Sequence, residues 1–230
     1  RMYKGKTGAI RVAVASIRQS SPLTHPAQQE ALCIASSPRI EPAMDRLLWD
    51  DDPAMIRLGL DVLSFRRKAR IPALIPLLSH ADPRVLSGVL RCLGTAEPRD
   101  AAVAALGDAV DERADDRSLA VAAESLVRQG APTGRGLAAR RLRHEDEHPG
   151  SLHADARCAY VRLLSLAGGP EDARAIAAHA VGLVEGASAI GWFGQVDLLE
   201  PLLVQLAAAN ELRRSMVGYV LPYELAAARA

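Results

Sequence analysis

Aromatic residues are scarce in this sequence, where they make up only 3% of 230 residues. Strands are rich in aromatic and β-branched side chains, so this scarcity argues against an extensive sheet. Alanine, leucine and arginine, which are among the best helix formers, are abundant instead. We therefore expect an all-α protein.

The chain also lacks an excess of either charge, since it contains 28 basic and 27 acidic residues. Proteins that bind nucleic acid or membrane surfaces normally carry a one-sided positive excess. We accordingly expect no nucleic acid and no membrane as partner. Short blocks of like charge, such as Arg66-Arg67-Lys68 and Asp50-Asp51-Asp52, are typical of solvated helix ends.

Cysteine is rare, and Cys33, Cys92 and Cys158 lie far apart in apolar stretches. An odd, scattered set of this kind indicates small buried hydrophobic residues rather than a disulfide framework. Because such thiols persist in reducing compartments, we expect a cytoplasmic protein. No signal-peptide pattern is visible, and His179 and Glu185 interrupt the most apolar region, so no membrane span is expected.

A repeat of 30 residues organises the sequence. Residues 42–63 (PAMDRLLWDDDPAMIRLGLDVL) align with residues 72–93 (PALIPLLSHADPRVLSGVLRCL), and eight of the 22 positions are identical. Chance would give about two identities in a chain this rich in alanine and leucine. The alignment therefore indicates tandem structural units.

Each unit divides into two helices. Pro42 or Pro72 lies near the start of the first helix, and Asp52 or Asp82 is the expected N-cap of the second. Pro53 and Pro83 then occupy the first position of that second helix. Its apolar face is predicted from the residues Met55, Ile56, Leu60 and Leu63, and in the next unit Val85, Leu86, Leu90 and Leu93.

The pattern of residues that begin and end helices continues less regularly along the chain. Asp115 follows the second unit as a further N-cap, with Leu119 and Leu126 on the apolar face behind it. Unit-starting prolines, mostly preceded by a helix-ending glycine, are predicted at Pro98, Pro132, Pro170 and Pro201, with the glycines Gly94, Gly130, Gly169 and Gly194. Upstream, residues 8–19 and 25–36 have the pattern of an earlier helix pair.

Two short helices cannot bury their apolar faces alone, so about six helical hairpins must stack on one another. We predict a right-handed α-solenoid that forms a single domain over residues 1–230. Its expected parts are a flexible lead (1–7), approximate repeats at 8–38, 39–68, 69–97, 98–131, 132–169 and 170–200, and terminal helices at 201–230.

The segment IPALIPLLSHADPRVLSGVLRCLG (71–94) resembles a HEAT-like repeat of the short bacterial kind, with roughly 30 residues per unit. The segment AIGWFGQVDLLEPLLVQLAAANELRRSMVGYV (189–220) resembles the last repeats of an uncharacterised bacterial HEAT-like family. Genes of that family often lie near type VI secretion effector clusters. The resemblance implies an ARM-type superhelical scaffold that binds proteins and carries no chemistry of its own.

The string HEDEH (144–148) satisfies the H-E-x-x-H pattern of zinc metalloproteases. A metalloprotease needs both histidines on one buried helix, with a third ligand further along. Pro149 and Gly150 end a helix here, and His153 comes one residue too early for the extended pattern. We interpret the string as an exposed turn between the helices of the 132–169 repeat. His144, His148 and His153 are adventitious metal candidates, and no cofactor or catalytic site is expected.

Two other signals receive structural interpretations. The segment YKGKTG (3–8) contains the Lys-Thr end of a phosphate loop, but an all-helical chain supplies no preceding strand, so a flexible basic lead is favoured. Trp49 and Trp192 fall at helix ends, where packing between repeats is favoured over stacking on a ligand; both are also candidates for contact with a protein partner.

The leading functional hypothesis is a non-catalytic protein–protein interaction scaffold. If the likeness to the secretion-associated family holds, its partner is an effector or assembly component that needs a chaperone, accessory or immunity protein. Arginines near equivalent helical positions could form a ladder for an acidic partner, or could be surface residues paired with neighbouring carboxylates; they are Arg57, Arg84, Arg91, Arg117 and Arg157.

Two alternatives remain open. Some HEAT-like folds are enzymes, namely DNA glycosylases and bilin lyases, and Trp49-Asp50 is the only adjacent tryptophan–acid pair of the type that a glycosylase needs. The balanced charge argues against that reading. The second alternative is a structural segment of a larger solenoid, because the helical pattern continues to Ala230.

Overall fold

The computed structural model describes residues 30, 32–34, 38–112, 115–180 and 184–209. Apart from one isolated bridge between Arg70 and Glu97, all regular secondary structure in these ranges is helical, which confirms the all-α prediction. The lead at 1–7, the phosphate-loop-like segment, the predicted helix at 8–19 and residues 210–230 lie outside the described residues. The chain divides into two compact units, residues 1–113 and 114–230.

Within residues 38–112 of the first unit, five helices follow one another: α1 (Ile40–Leu47), α2 (Pro53–Arg66), α3 (Ile71–Leu74), α4 (Pro83–Leu93) and α5 (Arg99–Glu112). A 3-10 turn, Ile75–Ser79, continues directly from α3. Helix α1 packs on α2, α2 packs on α4, and α4 packs on α5. The intervals predicted as repeats at 39–68 and 69–97 therefore each contain a helical pair.

The predicted aspartate caps are confirmed. Asp52 accepts a hydrogen bond from the Ala54 N–H at 2.8 Å, and Asp82 accepts one from the Arg84 N–H at 2.7 Å. Each cap satisfies a main-chain donor that has no partner within the helix. Pro53 and Pro83 begin the two helices. Of the eight residues predicted for the apolar faces, all are buried except Leu86, which is half-buried.

Six helices lie in residues 115–180 and 184–209 of the second unit: α6 (Asp116–Arg128), α7 (Pro132–Glu147), α8 (Ala154–Ala167), α9 (Ala173–His179), α10 (Val184–Trp192) and α11 (Val196–Ala209). A 3-10 turn, Pro170–Asp172, leads into α9. Helices α6, α8 and α10 pack one on the next, and so do α7, α9 and α11. Contacts between consecutive helices join these two layers.

The helix starts that were predicted for the second unit are confirmed except at Pro201. Asp115 caps α6 by accepting hydrogen bonds from the Arg117 and Ser118 N–H groups at 3.0 and 3.1 Å. Pro132 begins α7 as predicted. Pro201, in contrast, lies inside α11, which already begins at Val196. The prediction failed because Gly194 has a φ of 68° and turns the chain directly from α10 into α11.

The three cysteines carry free thiols. Cys92 is buried as predicted, whereas Cys33 and Cys158 are half-buried. The Cys92 thiol lies 3.1 Å from the Leu60 carbonyl oxygen, and burial raises its pKa to about 12, so it stays protonated. Within the ranges described, no helix combines the length and the apolar character needed to cross a membrane.

Candidate functional site

The HEDEH string lies at the C-terminal end of α7 rather than in the following turn. Residues 144–147 form its last turn, and His148 is the first residue beyond it. Pro149 and Gly150 end the helix as predicted, but the interpretation of the string as an exposed turn is wrong. The helix continues because Leu142 and Glu145, on its inner face, are buried with exposures of 0% and 5%.

Glu145 organises the turn that connects α7 to α8. Its carboxylate accepts hydrogen bonds from the Gly150 N–H at 3.0 Å, the Leu152 N–H at 2.7 Å and the Ser151 hydroxyl at 2.9 Å. These donors lower the pKa of Glu145 to about 2, and the N–H groups of Gly150 and Leu152 have the largest effect. A carboxylate this acidic is a poor proton acceptor at neutral pH. Glu145 therefore holds the fold in place instead of facing a metal-bound water.

Asp146 is also engaged in the fold. Its Oδ1 lies 3.1 Å from Nε2 of His179, the last residue of α9, and the same nitrogen lies 3.2 Å from the Leu142 carbonyl oxygen. The two acidic residues at the centre of the string thus link α7 to the next turn and to the neighbouring helix.

The remaining three side chains form an exposed cluster on the outside of α7. The rings of His144 and His148 lie with their centroids 4.5 Å apart. Potential metal-ligating atoms of His144, Glu147 and His148 all lie within 4.8 Å of one another. The structure therefore brings together two of the three predicted metal candidates and adds Glu147, which the sequence analysis missed.

His153, the third predicted candidate, is not part of this cluster. It is the N-cap of α8, where its Nδ1 accepts a hydrogen bond from the Asp155 N–H at 3.3 Å. It also lies 3.8 Å from the Asp155 carboxylate. Its position is fixed by the start of α8, beyond the turn that Glu145 organises.

A groove of about 520 Å³ lies beside the string, between α7 and α9. Both charge signs line it, with Arg143 and Asp146 from α7 and Glu171 and Arg174 from the chain leading into and along α9. Arg135 binds Glu171 and also Asp172, whose carboxylate lies 2.8 Å from its Nε. The carboxylates that line the groove are therefore engaged in ion pairs, Glu171 and Asp172 with Arg135 and Asp146 with His179.

Comparisons with known proteins identify no relative of this chain. No protein-family model matches the chain, and no curated protein or solved structure matches it significantly. The HEAT-like resemblance consequently remains a prediction from the sequence.

Three of the five candidate arginines form ion pairs. In the first unit Arg91 lies 3.5 Å from Asp61. In the second unit Arg117 pairs with Asp155, and Arg157 lies 3.5 Å from Glu145. Of the others, Arg84 is exposed near the start of α4, and the half-buried Arg57 has an Nε without a hydrogen-bond partner. A role of these arginines in partner binding stays a prediction.

Both tryptophans are exposed, so the interpretation that they pack between repeats is wrong. Trp49 follows α1 and is 64% exposed, whereas Trp192 ends α10 and is 83% exposed. Leu48, directly before Trp49, and Ile190, two residues before Trp192, occupy the buried positions instead. Leu166, near the end of α8, is 85% exposed as well. The sequence analysis missed Leu166, because its helical spacing does not distinguish it from a core leucine.

Proposed function

We propose that this chain is a non-catalytic protein-binding scaffold of HEAT-like type, built as an α-solenoid and acting in the cytoplasm. The observation that carries the proposal is the exposure of Leu166 and Trp192. They lie in the final turns of α8 and α10, two helices that pack against each other. We propose that the two side chains form one apolar patch, which is typical of sites that a protein partner covers.

Tryptophan is the residue type most enriched among interface residues that dominate binding. Burying an exposed tryptophan removes roughly 150–250 Å² from water, which at about 25 cal/mol per Å² is worth roughly 4–6 kcal/mol before the costs of association. The paired arginines of the same unit would contribute to the rim of such a contact, where exposed charges add specificity more than affinity. We propose the apolar residues as the anchors.

The resemblance to the secretion-associated family suggests the class of partner. We propose a type VI secretion effector, or a component of its assembly, that needs a chaperone, accessory or immunity protein. The near-zero net charge of the scaffold suits a folded protein partner better than a polyanion.

The test combines capture and affinity measurement. The full chain is used to retain partners from native bacterial lysate, and the retained protein is then purified and its affinity measured. Trp192→Ala and Leu166→Ala should each weaken binding by about tenfold or more, equivalent to about 1.4 kcal/mol. Val204→Ala, on the 64% exposed Val204 of the same unit, is the matched control and should change affinity less than about twofold.

Two results would refute the proposal. The first is the absence of any saturable protein partner. The second is a partner that binds both variants as tightly as the unaltered chain. Retention on duplex DNA that weakens steeply with salt would favour the glycosylase-like alternative instead.

A further inference from the structure

The end of α7 presents two imidazoles and one carboxylate to solvent. His144 and Glu147 lie in its last turn, and His148 is the first residue beyond it, so that their spacing of three and four residues brings all three together. Their potential ligand atoms already lie within 4.8 Å of one another. The other polar residues of the string are engaged elsewhere, since Glu145 binds the following turn and Asp146 lies against His179.

We propose that His144, Glu147 and His148 form a site for a divalent transition-metal ion, best suited to Zn²⁺. Imidazole and carboxylate are the ligands that zinc takes alongside thiolate, at distances of about 2.0–2.2 Å. Tetrahedral geometry at those distances separates neighbouring ligand atoms by about 3.3 Å. Small side-chain rotations on an exposed helix end bring the three groups to that separation.

The place of the cluster in the fold favours a cation. The three residues lie at the C-terminal end of a 16-residue helix, where the unpaired carbonyl groups carry partial negative charge. Arg140, one turn before His144, and Arg143, directly before it, oppose this effect. The site is solvent-exposed, and in the part of the chain that the structure describes no group hydrogen-bonds to either imidazole, which weakens metal affinity by roughly 10–100-fold relative to a supported site.

The site and a metalloprotease centre share the same five-residue pattern, but they assign different roles to its glutamates. The glutamate that follows the first histidine points into the fold, and the glutamate three residues after that histidine becomes the third ligand. Bound metal would join residues on either side of the end of α7 and stabilise that helix end by mass action. This inference is independent of the proposed partner-binding function, because it involves neither Leu166 nor Trp192.

The experiment is a calorimetric titration of ZnCl₂ into the full chain after removal of metal with a chelator. We expect one zinc ion per chain, and His144→Ala and His148→Ala should each reduce affinity by about tenfold or more. His153→Ala is the matched control, since His153 is exposed and nearby but does not belong to the cluster. The zinc affinity of this variant should differ from that of the unaltered chain by less than about twofold. Glu147→Gln should weaken binding in the same direction as the two histidine variants.

Thermal unfolding supplies a second readout, because zinc should raise the Tm of the unaltered chain and not that of the double variant His144→Ala/His148→Ala. Zinc binding by the double variant with unchanged affinity would overturn the proposal. An equal loss of zinc affinity in His153→Ala would also overturn it. A Co²⁺ spectrum with a thiolate charge-transfer band would overturn it too, because that band would place the metal on a cysteine. The absence of saturable binding would overturn it as well.

Discussion

A methyl group added at Gly134 would force α6 and α7 apart. Gly134 is buried in the first turn of α7, where that helix packs against α6. A Cβ atom there would lie 2.4 Å from the Ala123 carbonyl oxygen, 2.8 Å from the Leu126 Cβ and 2.9 Å from the Val127 nitrogen. Real Cβ atoms do not approach other atoms this closely, and main-chain atoms cannot move aside by changing a rotamer. The substitution Gly134→Ala must therefore displace one helix relative to the other.

Two opposing effects set the magnitude. Overpacking a well-packed interior costs about 1–3 kcal/mol, and contact with main-chain atoms places this site in the upper part of that range. Alanine is favoured over glycine by up to about 1 kcal/mol in a helix, and by less in the first turn. We expect a net loss of roughly 2 kcal/mol in the free energy of unfolding.

Gly136→Ala is the matched control on the same helix. The only neighbour of a Cβ at Gly136 is Nη1 of Arg140, at 3.6 Å, which is an ordinary contact with a mobile side chain. This variant should gain about 0.5–1 kcal/mol from the helix preference of alanine. Urea unfolding followed by far-UV circular dichroism should show the two midpoints moving in opposite directions. Equal stabilities of the two variants would refute the close approach of α6 and α7.

The remaining predictions concern the helix caps and a buried carboxylate. Asp52→Ala and Asp82→Ala should each cost about 1 kcal/mol of stability in urea unfolding, because each removes the acceptor of a capping hydrogen bond. Asp51→Ala, next to the first cap and exposed, should be neutral, and a cost equal to that of Asp52→Ala would contradict the assignment of the cap. Glu145→Gln should destabilise the chain at neutral pH and progressively less in acid. The folded-state pKa of Glu145 is about 2, below the ordinary value of 4.5, so its contribution is complete above about pH 4.5 and is lost as the pH falls towards 2. Urea unfolding of both proteins at several pH values, with chelator present, should show their stabilities converging over that window. A difference that is independent of pH would contradict the role of the ionised carboxylate.

The helix starts could be predicted from the sequence because their causes are local. An aspartate N-cap binds a main-chain N–H two residues further on, as at Asp52 and Asp82, so residue type and spacing suffice to identify it. Pro201 misled the prediction for the opposite reason. Whether a proline begins a helix or lies within it depends on where the previous helix turned, and Gly194 had already made that turn.

The candidate site could be predicted only in part, because burial decides its chemistry. Pro149 and Gly150 correctly indicate where α7 ends. The sequence does not show that Glu145 faces inward, since its partners include Arg157 of α8 in addition to the following turn. With the helix end placed correctly, the spacing of His144, Glu147 and His148 would have identified the cluster. The exposure of Trp49 and Trp192 could not be predicted in the same way, because a large apolar residue that is buried lies one or two positions before each of them.

The ion pairs explain why the arginines are weaker candidates for recognition than the exposed apolar residues. Asp61 and Arg91 are one repeat of 30 residues apart, and Arg117 and Asp155 are each the second residue of neighbouring packed helices. Equivalent positions on packed helices are close together, so arginines at all of them would repel one another. Alternation of sign removes that repulsion, but each exposed pair contributes only about 0–1 kcal/mol to stability. An acidic partner would have to displace Asp61 or Asp155 and would gain little by the exchange. Leu166 and Trp192 have no such competitor except water, so covering them yields a net gain on which binding can depend.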